Sequence, residues 1–91
     1  MIKQAQIIVK GKVQGVFFRD FTYENATKLS LSGWVRNLSN GNVEALVEGE
    51  EVEILKLIER LKIGPPVAKV KEISVKWQSA SGEYKNFSIR W

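Results

Sequence analysis

Gly11 and Gly15 stand four residues apart behind a strand-like run, and Arg19 closes the same segment where a helical pattern begins. The stretch Lys10–Arg19 reads Lys-Gly-Lys-Val-Gln-Gly-Val-Phe-Phe-Arg. Residues of these types at this spacing can form a small anion cradle. A glycine-bounded turn releases main-chain N–H groups, a helix start adds more, and a guanidinium supplies a forked, fully charged donor. The chain has no His and no Cys. Any catalysis must therefore run on backbone donors, Arg and uncharged amides rather than on imidazole or thiolate.

The elements that position this segment follow from periodicity. Ile7, Val9, Gly11 and Val13 alternate with Gln6, Lys10 and Lys12, which predicts a strand over Ala5–Val13. Phe18, Phe21, Ala26 and Leu29 recur near helical spacing, so Phe18–Leu29 reads as a helix. No Ser, Thr, Asp or Asn directly precedes Phe18, and the first N–H groups lack an evident side-chain cap. An external anion, or water together with the first-turn Asp20, would satisfy them. Gly33–Leu38 reads as a short strand, Ser39-Asn40-Gly41 as a hairpin turn and Asn42–Glu48 as the returning strand closed by Gly49. Glu51–Ile63 is a helix with an apolar stripe of Ile54, Leu55, Ile58 and Leu61 and with Leu57 at its margin. Glu50, Glu51 and Glu53 sit at its start, Arg60 and Lys62 at its end, and Gly64-Pro65-Pro66 stops it. Val67–Trp77 is strand-like, Ser79–Lys85 is a polar loop, and Phe87, Ile89 and Trp91 alternate in a final segment.

Strand, helix, strand, strand, helix, strand, with a short last strand, must enclose one core. The order predicts an α+β, ferredoxin-like βαββαβ sandwich: a mostly antiparallel sheet with two helices packed on one face. Residues 1–91 then form a single domain, since 91 residues leave no room for a second core. The hydrophobic fraction of 44% is that of a globular chain. Lack of cysteine removes disulfides and zinc–thiolate sites and fits the cytoplasm. No apolar run approaches membrane-spanning length, so no membrane partner is expected. The net charge of +4 is not concentrated in one run, with six basic and three acidic groups in residues 1–45 and eight and seven in residues 46–91. That distribution favours a solvated mixed surface over a polyanion-binding stripe.

Gly11-Lys12-Val13-Gln14-Gly15-Val16-Phe17-Phe18-Arg19 resembles the acylphosphatase signature G-x-V-Q-G-V-x-F-R. Gly33-Trp34-Val35-Arg36-Asn37, then Gly41-Asn42-Val43-Glu44, is similar to a second family signature, and Gly64-Pro65-Pro66 to a third feature. The resemblance spans essentially the whole chain. It implies hydrolysis of acyl phosphates to a carboxylate and inorganic phosphate. The loop Gly11–Phe18 would hold the phosphoryl group through the amides of Gln14, Gly15, Val16, Phe17 and Phe18. Arg19 would be the catalytic arginine and Asn37 the residue that positions the attacking water. The implied partners are an acyl phosphate and, as product and competitive inhibitor, inorganic phosphate; no metal, organic cofactor or nucleic acid is expected.

The residues make that chemistry reasonable. Amide donors and a bidentate Arg match a phosphoryl group's spread charge without reorganising. An amide is a poor base, so Asn37 would orient water rather than deprotonate it. A carboxylate leaves readily, which agrees with the missing His. Taken singly, Arg19 would more often pair with Asp20 or Glu24 on a helix surface, and Asn37 would more often be an ordinary hairpin residue. Phe17, Phe18, Phe21 and Trp34 read as core or loop support, Trp77 and Trp91 as sheet packing, and Arg36 as surface. Leu38 cannot hydrogen-bond Asn37, so that side chain must be oriented from elsewhere. The rival class is an RNA-binding module, which shares the βαββαβ order. Its aromatic strand motif is missing from Asn42–Glu48, where Glu44 and Glu48 stand instead.

Overall fold

A computed structural model describes residues Met1–Trp91. In chain order the elements are β1 (Ile2–Lys12), α1 (Phe18–Lys28), β2 (Ser32–Asn37), β3 (Val43–Glu50), α2 (Glu51–Ile63), β4 (Lys69–Ser79) and β5 (Phe87–Ile89). The strands form one sheet in the order β4-β1-β3-β2-β5. β1 pairs antiparallel with β3 and β4, and β2 pairs antiparallel with β3. The short β5 adds a parallel edge beside β2. The expected α+β sandwich is therefore present, with a mixed sheet of five strands.

Alternation along the strands decides which side is core. Ala5, Ile7 and Val9 of β1 and Val43, Ala45 and Val47 of β3 share one face with Val35 and Phe87. Both helices cover that face, α1 through Phe18 and Ala26 and α2 through Ile54, Leu57, Ile58 and Leu61. The α2 stripe differs from expectation at one position: Leu57 is fully buried, and Leu55 is exposed. The contact face runs through residues 54, 57, 58 and 61, the i, i+3, i+4, i+7 row, and Leu55 falls to its side.

Strand ends also differ from the periodic reading. β1 begins at Ile2 and pairs with Glu50, so β3 runs through Gly49 rather than closing there. β4 runs over Lys69–Ser79, offset from the expected Val67–Trp77. The open face of the sheet is polar: Gln6 donates to Glu44, Gln4 donates to Glu48, and Gln78 donates to Gln4. Trp34, expected as core or loop support, lies on this open face outside the main core. Its ring is covered by the guanidinium groups of Arg36 and Arg90, at 4.9 and 4.5 Å from the ring centre.

Candidate active site

Topology brings the two signatures to one end of the sheet. β1 ends at Lys12, β2 ends at Asn37 and α1 starts at Phe18, so the β1–α1 loop lies against the β2–β3 hairpin. A register shift between Lys10 and Gly11 ends the regular pairing of β1 with β4. Gly11 makes that bend possible, because a Cβ there would sit 2.2 Å from the Lys69 carbonyl oxygen. Gly15 serves differently: its φ of +74° needs glycine, and no protein atom crowds the spot.

The loop is fixed at three points. The Gln14 carboxamide donates to the carbonyls of Leu38 (2.7 Å) and Asn42 (2.8 Å), tying the loop to the hairpin beside Asn37. Val16 is buried in the core. The Phe18 ring is buried against Phe21 and lies over Gly64, where an added Cβ would come within 3.0 Å of it. Gln14 is thus more than the backbone donor expected of it. Its side chain clamps the loop to the hairpin, without touching the Asn37 carboxamide.

Between these anchors the backbone takes an uncommon course. Phe17 precedes α1 in the left-handed region at φ 64°, ψ 26°, and no side chain caps the helix. A bulky residue in that region costs about 1 kcal/mol or more. The amides of Gly15, Val16 and Phe17 donate to no carbonyl in the chain. The missing N-cap read from the sequence is therefore real.

One cleft of about 270 Å³ is lined by Val13, Gly15, Phe17, Phe18, Arg19, Asp20, Asn37 and Trp91. Arg19 and Asn37, from different elements, face it together with the loop. Arg19 makes no ion pair with Asp20 or Glu24. Its guanidinium lies over the Trp91 ring at 4.1 Å, and its Nη1 reaches the Arg90 carbonyl at 3.4 Å. No hydrogen bond within the chain engages the Asn37 carboxamide, while the neighbouring Leu38 amide is held by the Asn42 carbonyl at 2.8 Å. Arg36, read as surface, is exposed and binds Glu44 through Nε (2.8 Å) and Nη2 (2.7 Å), away from the cleft.

Two aromatic assignments are corrected. Phe17 was expected to support the loop or core but is 76% exposed. Trp91 was expected to pack on the sheet but is 91% exposed and lines the cleft. Periodicity gave Trp91 a strand phase, but β5 stops at Ile89 and the chain continues beyond the sheet. The signal that pointed to Trp91 was absent from local sequence, since its partner Arg19 lies at the other end of the chain.

Charge is also less even than its distribution along the chain suggests. Lys12 and Lys69 face each other across β1 and β4 next to the loop, and Lys71 lies beside them. All three are exposed and none forms an ion pair. Like charges directly opposite destabilise a sheet, and Lys12 and Lys69 bring two unpaired cations together here at that cost. No group of His, Cys, Asp and Glu residues is arranged to hold a metal ion, and no helix is long and apolar enough to cross a membrane.

Fold and site define a ferredoxin-like α+β protein with Arg19, Asn37 and the β1–α1 loop gathered in a cleft at one end of its sheet. A family model described as Acylphosphatase matches residues 5–89. The chain is 48% identical over 84 residues to an acylphosphatase of Dehalococcoides mccartyi strain CBDB1, spanning 91% of this chain and 92% of that protein. It is 48% identical over 87 residues to an acylphosphatase of Pyrobaculum calidifontis, spanning 94% of this chain and 79% of the other. The crystal structure of acylphosphatase from Bacillus subtilis superposes over the full length of both chains with a TM-score of 0.95 at 43% identity. The chain belongs to the acylphosphatase family, and it is an enzyme of that family.

Proposed function

We propose that this acylphosphatase holds the phosphoryl group of an acyl phosphate on the amides of Gln14, Gly15, Val16, Phe17 and Phe18 and on the Arg19 guanidinium, and that Asn37 places the attacking water. The observation that carries the reading is the shared cleft: Arg19, Asn37, Gly15, Phe17 and Phe18 line one small space. Water oxygen bonds to phosphorus, and the bond from phosphorus to the acyl oxygen breaks. The carboxylate leaves with the bonding pair, and the water proton passes to a phosphoryl oxygen. Arg19 and the amides bind the charge that grows on those oxygens, and they are already in place before reaction. Asn37 supplies orientation, which is worth orders of magnitude when the leaving group is good.

The reading needs no metal or organic cofactor. It also leaves out nucleic acid: the open face that an RNA-binding relative of this fold would use carries buried Glu44 and Glu48, and the Trp34 ring is already in contact with Arg36 and Arg90. A cytoplasmic setting fits a cysteine-free chain.

The test is release of inorganic phosphate from benzoyl phosphate with and without EDTA. Turnover persists in EDTA under this reading. Asn37→Ala loses turnover yet keeps competitive inhibition by phosphate. Loss of phosphate affinity with turnover retained at saturation would refute the role of Asn37 as the water holder.

A further inference from the structure

We infer that the side chains of Phe17 and Trp91 form an aromatic gate for the acyl group, so that the enzyme favours acyl phosphates with an aromatic or extended apolar acyl part over small ones. This rests on the phosphoryl site proposed above. Three observations converge on it. Both rings line the same cleft as Arg19 and Asn37. Both are far out in solvent, 76% exposed for Phe17 and 91% for Trp91, so burial does not account for their being aromatic. Phe17 in addition occupies the left-handed region at φ 64°, where Gly or Asn would be less strained. A residue kept large, apolar and strained at a cleft mouth points to a function for its side chain.

The geometry gives the acyl group few other neighbours. The polar part of the cleft is Arg19, Asp20, Asn37 and the Gly15 turn, of which Arg19, Asn37 and the turn suit the charged phosphoryl end. Val13 and Phe18 belong to the buried core that floors the cleft. The exposed apolar surface left at its rim is that of the two rings. An acyl group leaving the phosphoryl site meets one or both. A flat aromatic acyl group gains ring contact and buries apolar area that a methyl group cannot. The binding energy of this non-reacting part of the substrate would then appear in kcat/KM.

Trp91 also stacks on Arg19, and its removal can displace the guanidinium. The test therefore reads a ratio and separates the two rings. kcat/KM is measured for benzoyl phosphate and for acetyl phosphate, with the inhibition constant of inorganic phosphate taken alongside. The proteins compared are wild type, Phe17→Ala, Phe17→Tyr, Trp91→Ala and Trp91→Phe. The expected result is a fall in the benzoyl-to-acetyl ratio of about threefold to tenfold in each alanine variant, the range that one aromatic contact supplies. The ratio is restored by Phe17→Tyr and Trp91→Phe. Equal losses on both substrates, leaving the ratio unchanged, would overturn the gate while phosphate still competes. Failure of phosphate to compete in the wild type would instead overturn the phosphoryl site, and the gate with it.

Discussion

Each end of the sheet has a turn that frees main-chain N–H groups from regular structure, and the two ends use them oppositely. At the end away from the cleft, the amides of Ser81 and Gly82 donate to the Glu48 carboxylate at 2.7 and 2.9 Å. Ser81 Oγ and Gln4 Nε2 add bonds of 3.1 and 2.9 Å. Burial alone would raise the Glu48 pKa, but these donors outweigh it, and the carboxyl titrates below its ordinary value of 4.5. Here the chain supplies its own anion, and the result is a fixed loop. At the cleft end, the amides of Gly15, Val16 and Phe17 have no acceptor within the chain, and Arg19 has no carboxylate partner. The same donor chemistry stabilises the fold where the chain closes it, and where the chain does not it is free for the phosphoryl group proposed above.

The comparison also explains why size is a poor guide to the site. A wider groove of about 730 Å³ lies at the Glu48 end, bordered by Tyr23, Ser30, Tyr84 and Lys85. The Glu48 carboxylate that borders it is already occupied by the Ser81 and Gly82 amides, and none of the signature residues reaches it. The smaller cleft carries Arg19 and Asn37 beside the Gly15 and Phe17 turn.

The largest way to break the contrast is at Arg19. Arg19→Ala should lower kcat/KM for benzoyl phosphate about a thousandfold, and Arg19→Lys should stay badly impaired because an ammonium cannot form the bidentate fork. Unchanged rates would end the cleft account. Next comes the Gln14 clamp. Gln14→Ala removes the second donor from the Leu38 and Asn42 carbonyls, which keep the Gly41 and Leu38 amides, and frees the loop, so kcat should fall about tenfold and urea unfolding should show a loss of about 1–2 kcal/mol. A stability loss with normal kcat would mean that the clamp holds the hairpin but not the site.

Glu48 sharpens the other side. Glu48→Gln should cost about 1–2 kcal/mol of stability at neutral pH and leave kcat per folded molecule unchanged. The sign of the pH effect follows from the lowered pKa. Glu48 contributes fully above its unfolded value near 4.5 and loses that contribution as pH falls through its lower folded value. The gap between wild type and Glu48→Gln should therefore close on acidification, and denaturant midpoints measured from pH 7 to pH 3 check this. The smallest effect is electrostatic. Replacing both Lys12 and Lys69 with Gln should lower kcat/KM twofold to threefold at low salt and flatten its decline with ionic strength, with kcat unmoved.

Much of this was legible in the residues, for identifiable reasons. The fold order came from strand and helix periods that local side chains set. The spacing of Gly11, Gly15 and Arg19 survived into the structure because glycine geometry and a helix start are local facts. What failed was anything decided by distant contacts. Leu55 and Leu57 exchanged roles because the helix rotation is set by the sheet beneath it. Phe17 and Trp91 looked like packing residues because sequence cannot tell a segment's middle from its emergence at a cleft. Arg19 was a candidate ion-pair partner for Asp20 or Glu24 until the fold brought Trp91 to it. The positive patch was invisible because Lys12 and Lys69 meet only across β1 and β4.

The most direct measurement is a titration of the folded protein with inorganic phosphate, followed by amide proton–nitrogen chemical shifts. The account predicts saturable shifts at Gly15, Val16 and Phe17, weakened in Arg19→Ala, with Ser81 and Gly82 unmoved. Shifts centred on Ser81 and Gly82, or a Gly15–Phe17 loop that does not respond at saturating phosphate, would contradict it.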